Sequence, residues 1–212
     1  MEKLTIILLL VSAIGANAAS FPFILNNLLR VDCGLTGDTT ETYNNQSWFP
    51  DTFFINPGKT THITSSPDVP QVMTTLRYFP NEEDKNCYRL PLTNTQKFTF
   101  RAGFYYGNYD GKSQPPVFDL SLGGQPWATV NSSTTADVPV FQELIYAPRN
   151  DNISVCLTGR KEYGSATPFI SSLEATYLDE HETDNRTVYG MMRNGTAYHL
   201  VARLNFGVMI KS

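Results

Sequence analysis

The chain has 212 residues and a formal net charge of −4, with 41% hydrophobic, 12% aromatic and 17% charged residues. That length supports one domain, or two small ones, around a substantial core. The low charge and high aromatic content exclude a disordered polyampholyte, a collagen and a coiled coil. The acidic balance offers no basic face for nucleic acid, and three cysteines are too few for a disulfide-dense miniprotein.

Residues 1–19 read as a secretory signal peptide. Lys3 gives a weakly positive start, residues 4–14 are apolar apart from Thr5 and Ser12, and Ala16-Asn17-Ala18 supplies small residues for cleavage. The apolar run is shorter than the roughly 20 residues that cross a bilayer, and no later segment approaches that length. Export agrees with five Asn-x-Ser/Thr sequons, at Asn45, Asn131, Asn152, Asn185 and Asn194. Together behind a signal peptide they predict a glycosylated extracellular protein with those five sites facing solvent. An oxidising compartment allows Cys33, Cys87 and Cys156 one bridge and leaves one thiol over. Three pairings are open. Cys156 lies in an apolar run, where a small buried thiol is expected, so Cys33–Cys87 is the favoured pair.

The mature chain reads as strands, at residues 72–79, 97–106, 117–122, 143–146, 153–157 and 170–178. Alternation of polar and apolar residues marks half-buried antiparallel strands. Turn residues separate them: Asn56-Pro57-Gly58, Asp110-Gly111, Pro115-Pro116 and the run at 149–152. With no amphipathic helical segment between, the expected fold is all-β, an antiparallel β-sandwich. It occupies residues 28–178. A polar, acidic linker follows at 179–197, and 198–212 has the character of an entry into a further element.

Catalytic patterns are weak throughout. There is no Gly-x-Ser-x-Gly elbow beside His62, His181 or His199. His181-Glu182 begins a zinc motif, but Asn185 stands where the second histidine belongs, and no Cys/His grouping offers another metal site. Gly111-Lys112-Ser113 ends like a phosphate loop, yet Tyr106 replaces the required glycine. Asp110, Asp119, Asp137 and Glu143 are the carboxylates from which an acid/base pair would have to come, and spacing brings no two of them together. The expectation is a non-enzyme with neither metal nor cofactor.

The run 104–111, Phe-Tyr-Tyr-Gly-Asn-Tyr-Asp-Gly, is the candidate binding site. Tyr105, Tyr106 and Tyr109 surround a glycine turn beside Asp110. A tyrosine ring offers an apolar face and a polar tip, matched to the C–H face and hydroxyl rim of a sugar. The bland alternative, which carries somewhat more weight, has these rings packing the core and closing over the turn.

Seven ordered motifs resemble the malectin-like domain of plant receptor-like kinases. They are Val31-Asp32-Cys33-Gly34, Leu76-Arg77-Tyr78-Phe79-Pro80, Asn86-Cys87-Tyr88, the run 101–111, Pro115-Pro116-Val117-Phe118-Asp119-Leu120, Val155-Cys156-Leu157, and the run 167–174. The resemblance covers residues 28–206. It implies a jelly-roll sandwich of the galactose-binding type, usually two modules in tandem. The stretch 203–207 resembles the opening of the second module. It also implies a place in the apoplast, secreted or at the cell surface as part of a receptor. The implied ligands are cell-wall glycans or oligosaccharides, receptor ectodomains and secreted peptides. The alternative is an interaction or decoy module that docks on receptor ectodomains without binding sugar.

Overall fold

A computed structural model describes residues 28–37, 39–64, 68–80, 85–93, 95–132, 138–160, 162, 167–178 and 193–199. The expected signal peptide, residues 179–192 of the expected linker with Asn185, and residues 200–212 lie outside these. The described chain is β throughout, apart from two single-turn 3-10 helices at Asp51–Phe53 and Gln71–Met73.

The strands in chain order are β1 (Leu28–Asp32), β2 (Glu41–Tyr43), β3 (Gln46–Pro50), β4 (Lys59–His62), β5 (Thr75–Tyr78), β6 (Asn86–Leu90) and β7 (Phe98–Phe104). There follow β8 (Val117–Leu122), β9 (Gln125–Asn131), β10 (Val140–Tyr146), β11 (Ile153–Gly159), β12 (Phe169–Ile170), β13 (Ser172–Tyr177) and β14 (Ala197–His199). Seven form one sheet in the order β14-β10-β7-β13-β1-β3-β2, four form a second in the order β6-β11-β8-β9, and β12-β5-β4 form a third. Every pairing is antiparallel except β1 with β3. Tyr198 and His199, expected at the start of a further element, pair with Ile145 and Leu144 of β10 at the edge of the large sheet.

The alternation read from the sequence sets the faces. In β8, Phe118, Leu120 and Leu122 point inward while Val117, Asp119 and Ser121 are half exposed. In β7, Phe98, Phe100, Ala102 and Phe104 face the core, and Thr99 and Arg101 face out. The two larger sheets meet through aromatic edges: Phe100 with Trp127 at 6.5 Å and Phe104 with Phe118 at 5.6 Å between centroids. Each fully buried side chain of this size contributes about 1.5–3 kcal/mol. Trp127 reaches the core through a bulge. Leu120 pairs with Ala128 and Ser121 with Pro126, so Trp127 has no partner of its own on β8.

Two expectations need correction. Residues 72–79 do not form one strand, because Gln71–Met73 is a 3-10 turn and the strand begins at Thr75. The disulfide joins Cys87 to Cys156, not Cys33 to Cys87, and Cys33 is the buried free thiol. The reason is register: Cys87 and Cys156 are direct partners across β6 and β11. Cys33 sits fully buried near Asp51 and Tyr88, and burial lifts its thiol well above the ordinary range.

Beside Cys33 lies a buried ion pair. Asp51 is wholly buried, and accepts from Arg77 Nε at 2.6 Å and Nη2 at 2.7 Å. It also accepts from the Tyr88 hydroxyl and the Gly34 N–H, both at 3.0 Å. One carboxylate thus ties the first 3-10 turn to β5, β6 and the end of β1. Gly34 is required there: its φ is +100°, and a Cβ would stand 2.4 Å from the Leu76 carbonyl oxygen.

Candidate functional site

The tyrosine loop leaves β7 at Phe104 and turns through Gly107 and Asn108, both with φ near +50°. Left-handed backbone suits glycine and asparagine, so the sequence dictates the turn. The outcome favours packing over presentation. Tyr105 is 4% and Tyr106 2% exposed, so neither ring offers a face on which a sugar can stack. Tyr109 is half-buried, wedged against Tyr78 at 5.2 Å and Phe169 at 5.6 Å. The Tyr106 hydroxyl donates to the carboxylate of Asp110 and accepts from the Gln114 N–H at 3.3 Å. Asp110 also accepts from the Lys112 N–H at 3.2 Å, and Asn108 from the Ser113 N–H at 2.8 Å. Burial, with Asp110 adding to it, pushes the Tyr106 phenol up to about 12. The loop satisfies most of its own polar groups. The exception is the Tyr109 hydroxyl, which is buried without a hydrogen-bond partner.

The other expected residues are placed as follows. Asn45, Asn131, Asn152 and Asn194 are all exposed. Asp119 is engaged by Arg160 at 2.6 Å and Thr129 at 2.8 Å, and Glu143 by Arg101 at 3.4 Å. Asp137 lies outside the described residues. Among the described residues no three His, Cys, Asp or Glu side chains gather as metal ligands.

What composition did not reveal is a charged row across the outer face of the large sheet. Arg30 on β1 is the register partner of Glu174 on β13, Glu174 of Arg101 on β7, and Arg101 of Glu143 on β10. The separations are 3.5 Å for Arg30–Glu174, 3.7 Å for Arg101–Glu174 and 3.4 Å for Arg101–Glu143. Aromatic rings bracket the row. Arg30 lies over Trp48 at 5.9 Å and Arg101 over Phe141 at 3.8 Å, within the range of cation–π attraction. Partial burial raises the Glu174 carboxyl, opposed by the two arginines.

Above this row the 3-10 turn Gln71–Met73 crosses the sheet. Met73 packs where Gly103 has no side chain; a Cβ there would meet the Met73 methyl at 2.3 Å. Between turn and row runs a groove of about 250 Å³, lined among others by Tyr43, Trp48, Met73, Arg101, Phe141 and Glu174. The Tyr43 wall is held from inside: its hydroxyl donates to Asp32 at 2.9 Å, and Thr75 donates to the other oxygen at 2.5 Å. Asp32 is wholly buried, and burial raises its carboxyl to about 6 against those two hydrogen bonds. The groove offers both signs of charge, the half-buried rings of Tyr43 and Phe141, and the amides of Asn44, Gln46 and Gln71.

Comparison with known proteins is consistent with this architecture. The family model for the malectin-like domain matches residues 31–210. The chain belongs to the malectin-like family. A probable LRR receptor-like serine/threonine-protein kinase of Arabidopsis thaliana, PAM74, is 36% identical to this malectin-like chain over 152 residues, 69% of this chain and 17% of that one. An uncharacterized protein of the same plant, At1g24485, is 36% identical over 153 residues, 72% of this chain and 30% of that one. The malectin-like chain therefore spans less than a third of either relative. Among solved structures, the plant receptor-like kinase FER superposes with a TM-score of 0.66 at 23% identity, covering 80% of this chain and 46% of that one. The ANX2 ectodomain from Arabidopsis thaliana gives 0.62 at 18% identity, covering 72% and 42%. A structure of the plant peptide RALF23 in complex with FER and LLG2 gives 0.61 at 22% identity, covering 81% and 46%. At these identities the likeness establishes the fold. No helix among the described residues is long and apolar enough to cross a membrane.

Proposed function

We propose that this chain is an extracellular, non-catalytic recognition module that binds a polypeptide, either a secreted peptide or a receptor ectodomain, in the groove on the outer face of the large sheet. The observation that carries this reading is the row Arg30–Glu174–Arg101–Glu143 with the half-buried rings of Phe141 and Tyr43 beside it. Both signs of charge lie beside apolar surface, as polypeptide recognition requires. Burial of Tyr105 and Tyr106 removes the surface that most favoured a carbohydrate. The FER complex with RALF23 and LLG2 supplies precedent for peptide and protein partners in a protein of this fold.

The test is calorimetric titration of the purified chain against panels of secreted plant peptides, receptor ectodomains and cell-wall oligosaccharides. Arg101 is the residue to change, since its side chain is 40% exposed and its loss leaves the core intact. Arg101→Ala should weaken a polypeptide ligand by at least about tenfold, or roughly 1.4 kcal/mol, at a temperature where a melting curve shows both proteins folded. Binding of wall oligosaccharides alone would overturn this reading and restore a lectin.

A further inference from the structure

A second cavity, about 460 Å³ in volume, lies at the end of the sandwich where β8 turns into β9 and β10 turns towards β11. Its lining includes the Cys87–Cys156 bridge, Tyr146, Arg149, Asp151 and two members of one sequon, Asn152 and Ser154. The size lies within the roughly 300–1,000 Å³ of small-ligand pockets. The walls are braced by backbone hydrogen bonds: Gly123 N–H to the Ser154 carbonyl at 2.9 Å, Asn152 N–H to that of Leu92 at 3.0 Å, and Gly195 N–H to that of Ala147. Gly124 leaves open space, since a Cβ there would meet nothing within 4 Å. Asn152 itself is exposed, with φ +58°. A preformed polar cleft thus opens directly beside a glycan acceptor, with two members of that sequon, Asn152 and Ser154, in its wall.

We propose that this cleft is the seat of the protein's own N-linked glycan, carried on Asn152. The Asn152 amide nitrogen forms a bond to C1 of the first N-acetylglucosamine of a lipid-linked oligosaccharide diphosphate. The lipid diphosphate leaves, and the nitrogen gives up one proton. As the chain folds, the first sugars settle into the cleft. Their hydroxyl and acetamido groups need both donors and acceptors, which Arg149, Asp151 and Gln125 provide. The backbone of Gly123 and Gly124 and the half-buried Cys87 leave room for the acetamido group beside them. A glycan in this seat braces the disulfide end of the sandwich and leaves the groove on the outer sheet face free. The proposal rests on the extracellular reading above but not on the groove's ligand.

The experiment uses the full chain secreted from a eukaryotic host behind a strong signal peptide. Mass spectrometry maps sugar occupancy at each sequon, and the native and the denatured glycoprotein are then digested with a peptide N-glycosidase. The Asn152 glycan should be released from the native protein at least about tenfold more slowly than the Asn45 glycan, because cleavage follows the open population. After denaturation the two rates should match. Arg149→Ala, which opens the wall while keeping the sequon, should bring the native rate at Asn152 towards that at Asn45. An unoccupied Asn152, equal native rates, or protection at Asn194 with free release at Asn152 would each overturn the proposal. Occupancy at Asn45 separates failure of this seat from failure of export.

Discussion

Replacing Asp32 by asparagine should remove the pH dependence that this one residue imposes on stability. Its carboxyl stands at about 6 in the folded protein against 3.8 for the free group. Burial is the main cause, and the nearby charge of Asp51 adds to it. The Thr75 and Tyr43 hydrogen bonds and His62 work the other way. The folded state therefore holds the proton more tightly than the unfolded one. The stabilisation is complete below pH 3.8 and is lost as pH rises through about 6. A difference of about 2 units at about 1.4 kcal/mol each makes the loss about 3 kcal/mol. Asparagine fills the same volume, keeps an oxygen for the Tyr43 hydroxyl, and presents N–H groups to which the Thr75 hydroxyl can turn as acceptor. Urea unfolding of both proteins at several values between about pH 3.5 and 7.5, above and below the two pKa values, isolates the effect, since all other carboxylates are common to both. Relative to wild type, Asp32→Asn should gain stability between about pH 4 and 6, by about 3 kcal/mol in total, and level off above. A difference that stays constant within about 0.5 kcal/mol, the scatter of independent sites, or that falls with pH, would refute the reasoning.

Two further outcomes test the frame around the groove. Asp51→Ala leaves the Arg77 guanidinium buried without its carboxylate and the Tyr88 hydroxyl without its acceptor, which should cost about 3–5 kcal/mol in denaturant unfolding; a loss under about 1 kcal/mol, the scale of an exposed pair, would contradict the buried network. The Cys87–Cys156 bridge spans 69 residues of chain, so Cys87→Ser with Cys156→Ser should lower stability by about 4 kcal/mol, and a thiol reagent should find one reactive cysteine in wild type only after unfolding. A free thiol mapped to Cys87 or Cys156 instead of Cys33 would contradict the register.

The sandwich was legible where information is local. Residues 117–122 alternate because one face of β8 meets the core and the other meets water. Strand β9 did not show itself, because Pro126 and the bulge at Trp127 break its period. Strands β1 to β4 were equally hidden: they are three to five residues long, and β3 lies parallel to β1 instead of forming a hairpin with it. The disulfide was misread for a related reason. An apolar neighbourhood made Cys156 look like the buried thiol, whereas pairing depends on the register of β6 against β11, strands more than sixty residues apart. The tyrosine loop posed a different problem. Three rings and an aspartate around a glycine turn describe a sugar platform and a self-sealed turn equally well. What decides is Tyr78 and Phe169, brought against Tyr109 from β5 and β12. The groove follows the same logic. In the sequence Glu143 was one carboxylate among four, and on β10 it is half-buried. Its meaning changes only when the order β10-β7-β13-β1 sets it in line with Arg101, Glu174 and Arg30. Alternation along a strand says which way a side chain points, and sheet order says what stands beside it; recognition surfaces on sheets are built from the second.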